Sequence, residues 1–134
     1  MKFGDFRRVC LSLPEAEEIE TWGEATFRVR GRIFAMGSPE GERVSVKATL
    51  DDQAGLIAMD PKTFAVSAYT GRFGWVTVRL SRLAPEMAER IVKNAWERTA
   101  PRHLTREAGP LRKRAAGSRD VRTAGRSARG SPLR

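Results

Sequence analysis

A chain of 134 residues carries 25 Lys+Arg against 16 Asp+Glu, a net charge of +9, with 40% hydrophobic residues, one cysteine and one histidine. That length and apolar content suffice for one domain with a core of the common size, about 100 residues. A lone cysteine excludes an internal disulfide, a lone histidine excludes a Cys/His zinc site within one chain, and no apolar run approaches the roughly 20 residues of a membrane span. The start, Met1-Lys2-Phe3-Gly4-Asp5, lacks the apolar core of a signal peptide, so a cytoplasmic protein is expected.

The charge is uneven. Residues 100–134 hold 10 of the 25 basic residues and only Glu107 and Asp120 of the 16 acids, which leaves 15 against 14 in residues 1–99. The basic pI of about 10.9 therefore describes an arm rather than the body of the chain.

In chain order, Phe6, Val9, Cys10 and Leu13 recur at helical spacing and Pro14 stops them, so the first element reads as an amphipathic helix. The acidic stretch Glu15 to Glu20 reads as a loop. Phe27 and Val29 then alternate with Arg28 and Arg30, Gly31-Arg32 makes a turn, and Ile33 to Met36 continue the hairpin. A second turn, Ser38-Pro39-Glu40-Gly41, leads to the alternating strand Val44 to Lys47. Residues 51–59 read as a short helix with acids in its first turn, ended by Asp60-Pro61. Phe64 to Ser67 and Trp75 to Leu80 give two more strands, joined through Tyr69-Thr70-Gly71-Arg72-Phe73-Gly74. The last helix starts near Pro85 and carries Met87, Ile91, Val92, Ala95 and Trp96 on one face, ending before Pro101.

The order helix, three strands, helix, two strands, helix predicts an α+β fold of two layers, a five-stranded antiparallel sheet with helices on one face. The domain is expected over residues 1–105. Residues 106–134, made largely of Arg, Ala, Gly and Ser, read as a disordered basic tail.

The series Phe27-Arg28-Val29-Arg30-Gly31-Arg32-Ile33-Phe34-Ala35, Val46-Lys47, Gly74-Trp75-Val76, Val78-Arg79-Leu80, Ala95-Trp96 and Pro101 resembles the MmcQ/YjbR family of small bacterial proteins. So does the opening, Leu13-Pro14 with Glu17-Glu18 and then Trp22-Gly23. The resemblance covers roughly residues 1 to 105. It implies a YjbR-like α+β fold, related in architecture to type III secretion chaperones, and a DNA-binding role attributed to a double-wing arrangement of strands. The tail has no counterpart in that pattern.

On the sheet, alternation predicts that Phe27, Val29, Val44, Val46, Val76 and Val78 face the helices. Arg28, Arg30, Ser45, Lys47, Trp75, Thr77 and Arg79 then share the open face. Cations beside a tryptophan can bind phosphate and offer a stacking platform, or hold an anionic small molecule, or form an ordinary solvated face. Arg32 and Arg72 stand at turn tips that could serve as wings, with Ser38 to Gly41 as a third. Trp22 and Trp96 read as packing residues, and Cys10 as a small buried hydrophobe.

For catalysis the chain offers no Walker A loop, no dinucleotide glycine run and no metal-ligand cluster, only His103 and the acids Glu15, Glu17, Glu18 and Glu20. No enzyme, metal or cofactor is expected. In the tail, Arg112-Lys113-Arg114 and the arginines that follow make a polyelectrolyte; neutralising about six phosphates would give a salt slope near −5. The expected function is non-enzymatic DNA binding through sheet face, wings and tail, with no membrane partner. The alternative is a module for a protein or small anion, monomeric or dimerising through a strand edge.

Overall fold

The computed structural model describes residues 1–107. Helix α1 (Phe3–Leu11) buries Phe3, Phe6 and Cys10, three residues at spacings of three and four on one face. Strands β1 (Ala16–Thr21), β2 (Glu24–Val29), β3 (Arg32–Gly37) and β4 (Arg43–Val46) follow, then helix α2 (Leu50–Met59), whose Thr49 hydroxyl accepts from the Asp52 amide at 3.0 Å. Strands β5 (Phe64–Val66) and β6 (Val76–Arg79) precede helix α3 (Pro85–Thr99).

The strands form one six-stranded antiparallel sheet in the order β1-β2-β3-β4-β6-β5. One strand more is present than the sequence suggested. The acidic stretch that reads as a loop is β1, an edge strand paired along its length with β2. Its residues, Ala-Glu-Glu-Ile-Glu-Thr, carry no alternation because the strand is exposed over most of its length. Charged side chains are how an edge strand avoids further pairing, and they hide it from a reading based on apolar periodicity.

Trp22 is the second correction. It is not a core residue: it stands at the tip of the β1–β2 hairpin, 97% exposed. Trp22 (φ 52°) and Gly23 (φ 84°) are both left-handed, the backbone of a two-residue turn that matches strand twist.

The predicted apolar face holds. Phe27, Val29, Val44, Val46, Val76 and Val78 are all buried. Phe3 and Phe6 of α1 meet Phe27 of β2 with ring centroids 6.2 and 6.0 Å away. Helix α3 lies against β3 and β4, and α2 against β5. Trp96 is fully buried, and its indole N–H donates to the Pro14 carbonyl at 3.0 Å. Between β2 and β3 the register shifts at Phe27/Arg28, so Phe34 is an extra residue in the ladder, also fully buried.

Packing divides the chain after Thr99. Beyond that division the described residues form a short helix, α4 (Arg102–Glu107), which starts with Leu104 and Thr105 amides donating to Pro101 and runs past residue 105. The tail residues Arg112, Lys113 and Arg114 lie outside the described residues.

Candidate nucleic-acid interface

Pairing across the ladder decides which polar side chains share the open face. Ser45 stands opposite Thr77, and Arg43 opposite Arg79, on the β4–β6 pair. One step past Val46↔Val76, where the ladder ends, stand Lys47 on one chain segment and Trp75 on the other. Along these two strands the face therefore reads cations, hydroxyls, then cation and tryptophan, over about 13 Å at roughly 3.3 Å per residue. The hydroxyls form a cluster: Ser67 Oγ, buried, lies 2.9 Å from Thr77 Oγ1 and 3.4 Å from Ser45 Oγ.

The β1–β2 side of the sheet has a different character. Arg28 is half-buried and donates to Thr26 Oγ1 at 3.0 Å and Thr21 Oγ1 at 3.1 Å, with Glu17 opposite it in the ladder. Arg30 is not on the sheet. It sits in the β2–β3 turn at φ 53°, and both its Nε and Nη2 donate to Glu15, at 2.6 and 3.1 Å. That two-point pair raises the Arg30 pKa further and neutralises its charge. The open-face row expected from alternation thus loses one member, because a left-handed turn residue does not follow strand alternation. The acids do not gather either: Glu18 pairs with Arg7 of α1 at 2.8 Å while Glu15 pairs with Arg30.

The remaining sequence candidates lie at the end of the sheet where β2 ends and β6 begins. Arg32 follows the β2–β3 turn, and its charge bears on Lys47. Burial pushes the Lys47 ammonium below the usual lysine pKa, and the like charge of Arg32 pushes it the same way. Arg72 lies in the β5–β6 connection at this same end, its guanidinium carbon 4.8 Å from the Phe73 ring centroid. Trp75 is half-buried, and its carbonyl accepts from Gln53 Nε2 of α2 at 2.7 Å.

The third proposed wing does not join them. Ser38 to Gly41 links β3 to β4 and is at the opposite end of the sheet, as antiparallel connectivity requires. Arg79 is at that far end too, with Arg43 and Glu42. The Glu42 carboxyl is held below the usual range first by the Ser81 hydroxyl and then by Arg79 and Arg43. The candidates therefore split into Arg32, Lys47, Arg72 and Trp75 at one end of the sheet, an arginine pair, Arg43 and Arg79, at the other, and two arginines, Arg28 and Arg30, engaged within the β1–β2 region.

The sequence reading missed Arg43, Tyr69 and Phe73. Arg43 carries the signal of one residue before Val44 in an alternating strand. The two aromatics carry the signal of large rings in a glycine-bounded connection. Cys10 is buried, and burial pushes its thiol far up the scale, so it packs rather than reacts. Among the described residues no three His, Cys, Asp or Glu side chains are grouped to hold a metal, and no helix is long and apolar enough to cross a membrane.

On the helix side, a groove of about 310 Å³ opens between α2 and α3 over Val46 and Val76. Leu56, Met59, Met87 and Ile91 line it, with Lys47, Arg90, Asn94 and the acids Asp51 and Asp52 as its polar residues.

Residues 11–98, which hold the whole sheet, α2 and nearly all of α3, match the family model YjbR. The chain belongs to the YjbR family. The fold of this YjbR protein is also that of the crystal structure of the Deinococcus radiodurans protein DR2400, described by the family-model domain DUF419: 21% identity, 80% of each chain covered, TM-score 0.66. No curated protein matches the sequence.

Proposed function

We propose that this YjbR protein is a non-enzymatic nucleic-acid-binding protein that holds phosphates at the sheet end bearing Arg32, Lys47, Arg72 and Trp75. The observation that carries the reading is the Arg32–Lys47 juxtaposition. The fold keeps two cations close enough to depress the Lys47 pKa, in a site where burial already disfavours charge. An arrangement that raises the free energy of the empty protein is relieved by an anion between the two charges. The β1–β2 region, with its partnered arginines, takes no part. The tail, with Arg112, Lys113 and Arg114, adds affinity that salt removes.

The test is binding of labelled duplex and single strand to the full chain and to Arg32→Ala/Lys47→Ala over a salt series. The double variant is expected to bind more weakly, with a log K–log salt slope shallower by about two, one for each lost cation. Affinity and slope equal to the wild type would remove the sheet from the interface. Then Arg112→Ser/Lys113→Ser/Arg114→Ser tests whether the tail alone carries binding.

A second reading rests on the α2–α3 groove, whose volume is at the lower end for a small-molecule site and whose apolar lining meets Lys47. It fits a small anion with an apolar body. A medium-chain carboxylate should then raise the melting temperature of the wild type but not of Met59→Gln/Ile91→Gln; an unchanged wild type rejects this reading.

A further inference from the structure

The connection from β5 to β6 displays two rings that the core does not use. Tyr69 is 94% exposed and Phe73 64%, with Val66 beside them 57% exposed. Single exposed apolar residues are ordinary, but two rings in one connection, with Val66 at the end of β5 just before it, gather exposed apolar surface next in sequence to Arg72 and Trp75.

The rings are held in place. Tyr69 has φ 64°, a left-handed backbone that a bulky residue keeps only when its surroundings fix it. Here the Gly71 amide donates to Ser67 at 2.9 Å, the Phe73 amide to Thr70 at 2.9 Å, and the Gly74 amide to Gly71 at 2.9 Å. Gln53 of α2 donates its side-chain amide to the Gly71 carbonyl at 2.9 Å as well as to that of Trp75. Gly71 packs so closely on Val66, and Gly74 on the Ala48 carbonyl, that a Cβ at either would collide. Arg72 covers one face of Phe73.

A fixed loop offering flat rings among cations suits a flat group carried on an anionic chain. Base pairs in a duplex already stack on one another, so their faces are open only in an unpaired strand. Tyrosine, phenylalanine and arginine also anchor protein interfaces. What favours nucleic acid is the cationic character of this sheet end, where Lys47 feels the like charge of Arg32 and Arg72 lies against Phe73. We infer that the occupant of this end of the sheet is a single-stranded nucleic acid, with unpaired bases stacked on Tyr69 and Phe73 and its phosphates on Arg32, Lys47 and Arg72. The inference rests on the phosphate-binding reading above and adds strand choice to it.

The experiment compares, by anisotropy with the full chain, an oligothymidine of about twelve nucleotides, an abasic strand of the same length, and a duplex. The abasic strand keeps the phosphates and lacks the bases. Oligothymidine should bind at least about tenfold tighter than the abasic strand. Tyr69→Asn/Phe73→Ser should abolish that preference while leaving abasic affinity and melting temperature unchanged; Asn is chosen because it tolerates the left-handed backbone. Equal affinity for the thymidine and abasic strands, or a preference that survives in the variant, overturns the stacking inference and leaves the phosphate reading standing. Failure of both strands to bind removes the phosphate reading and stacking with it. A variant that loses self-association rather than base preference makes the loop a protein contact and overturns the inference.

Discussion

The two ends of the β2–β3 hairpin's neighbourhood hold arginines in opposite circumstances. Toward β1, Arg28 is bonded to two threonines and Arg30 grips Glu15 from two nitrogens. Toward β4 and β6, Arg32 and Lys47 repel each other, and Arg72 lies against a ring rather than an acid. Both regions belong to the same sheet and look alike in a list of basic residues. What separates them is the acidic edge strand β1 and the residue just before it: Glu18 and Glu15 pair with Arg7 and Arg30 on that side. Cations that complete the fold and cations left over for a ligand are thus distinguished by their partners, not by their number.

The largest expected effect is on the scaffold that both regions share. Phe27→Ala removes a fully buried ring packed on Phe3 and Phe6 and should cost about 3–5 kcal/mol in urea unfolding. A loss under about 1 kcal/mol would mean the α1 side of the core is loosely packed. Gly74→Ala places a Cβ against the Ala48 carbonyl at φ 104° and should cost upwards of about 2 kcal/mol. It should also displace the β5–β6 connection and weaken nucleic-acid binding, which Phe27→Ala measured well below its melting point should not.

Arg28→Ala sharpens the contrast. It gives up hydrogen bonds to Thr21 and Thr26 and should lower stability by about 1 kcal/mol, while nucleic-acid affinity measured beside Arg32→Ala stays at the wild-type level. A matching loss of affinity in both variants would erase the distinction between the regions.

Lys47 gives a pH signature. Its folded pKa is lowered, so at neutral pH folding carries the cost of keeping a proton that the site disfavours; that cost disappears as pH rises through the folded pKa toward the ordinary lysine value of 10.5. Lys47→Met should therefore be more stable than the wild type at neutral pH, with the gain shrinking under alkaline conditions. A gain independent of pH would assign the effect to packing instead. The smallest change is expected from Glu15→Gln, which frees Arg30 from its two-point pair and should raise phosphate affinity modestly, read as a slightly steeper salt slope.

The sequence by itself determined the elements with a buried face. The alternation of Phe27 and Val29, of Val44 and Val46, and of Val76 and Val78, and the helical spacing in α1 and α3, record burial directly, because removing apolar area from water is what selects those residues. The same pattern was silent for β1, which buries neither face well, and misleading for Trp22, whose place depends on a turn backbone rather than on its hydrophobicity. The candidate basic residues were legible as a set. Which of them remain available was not, since a cation's state depends on carboxylates and hydroxyls brought beside it across the sheet: Glu15 to Arg30, Thr21 to Arg28, and Arg32 to Lys47. Those neighbours are fixed by strand order and register, and only the tertiary structure sets them.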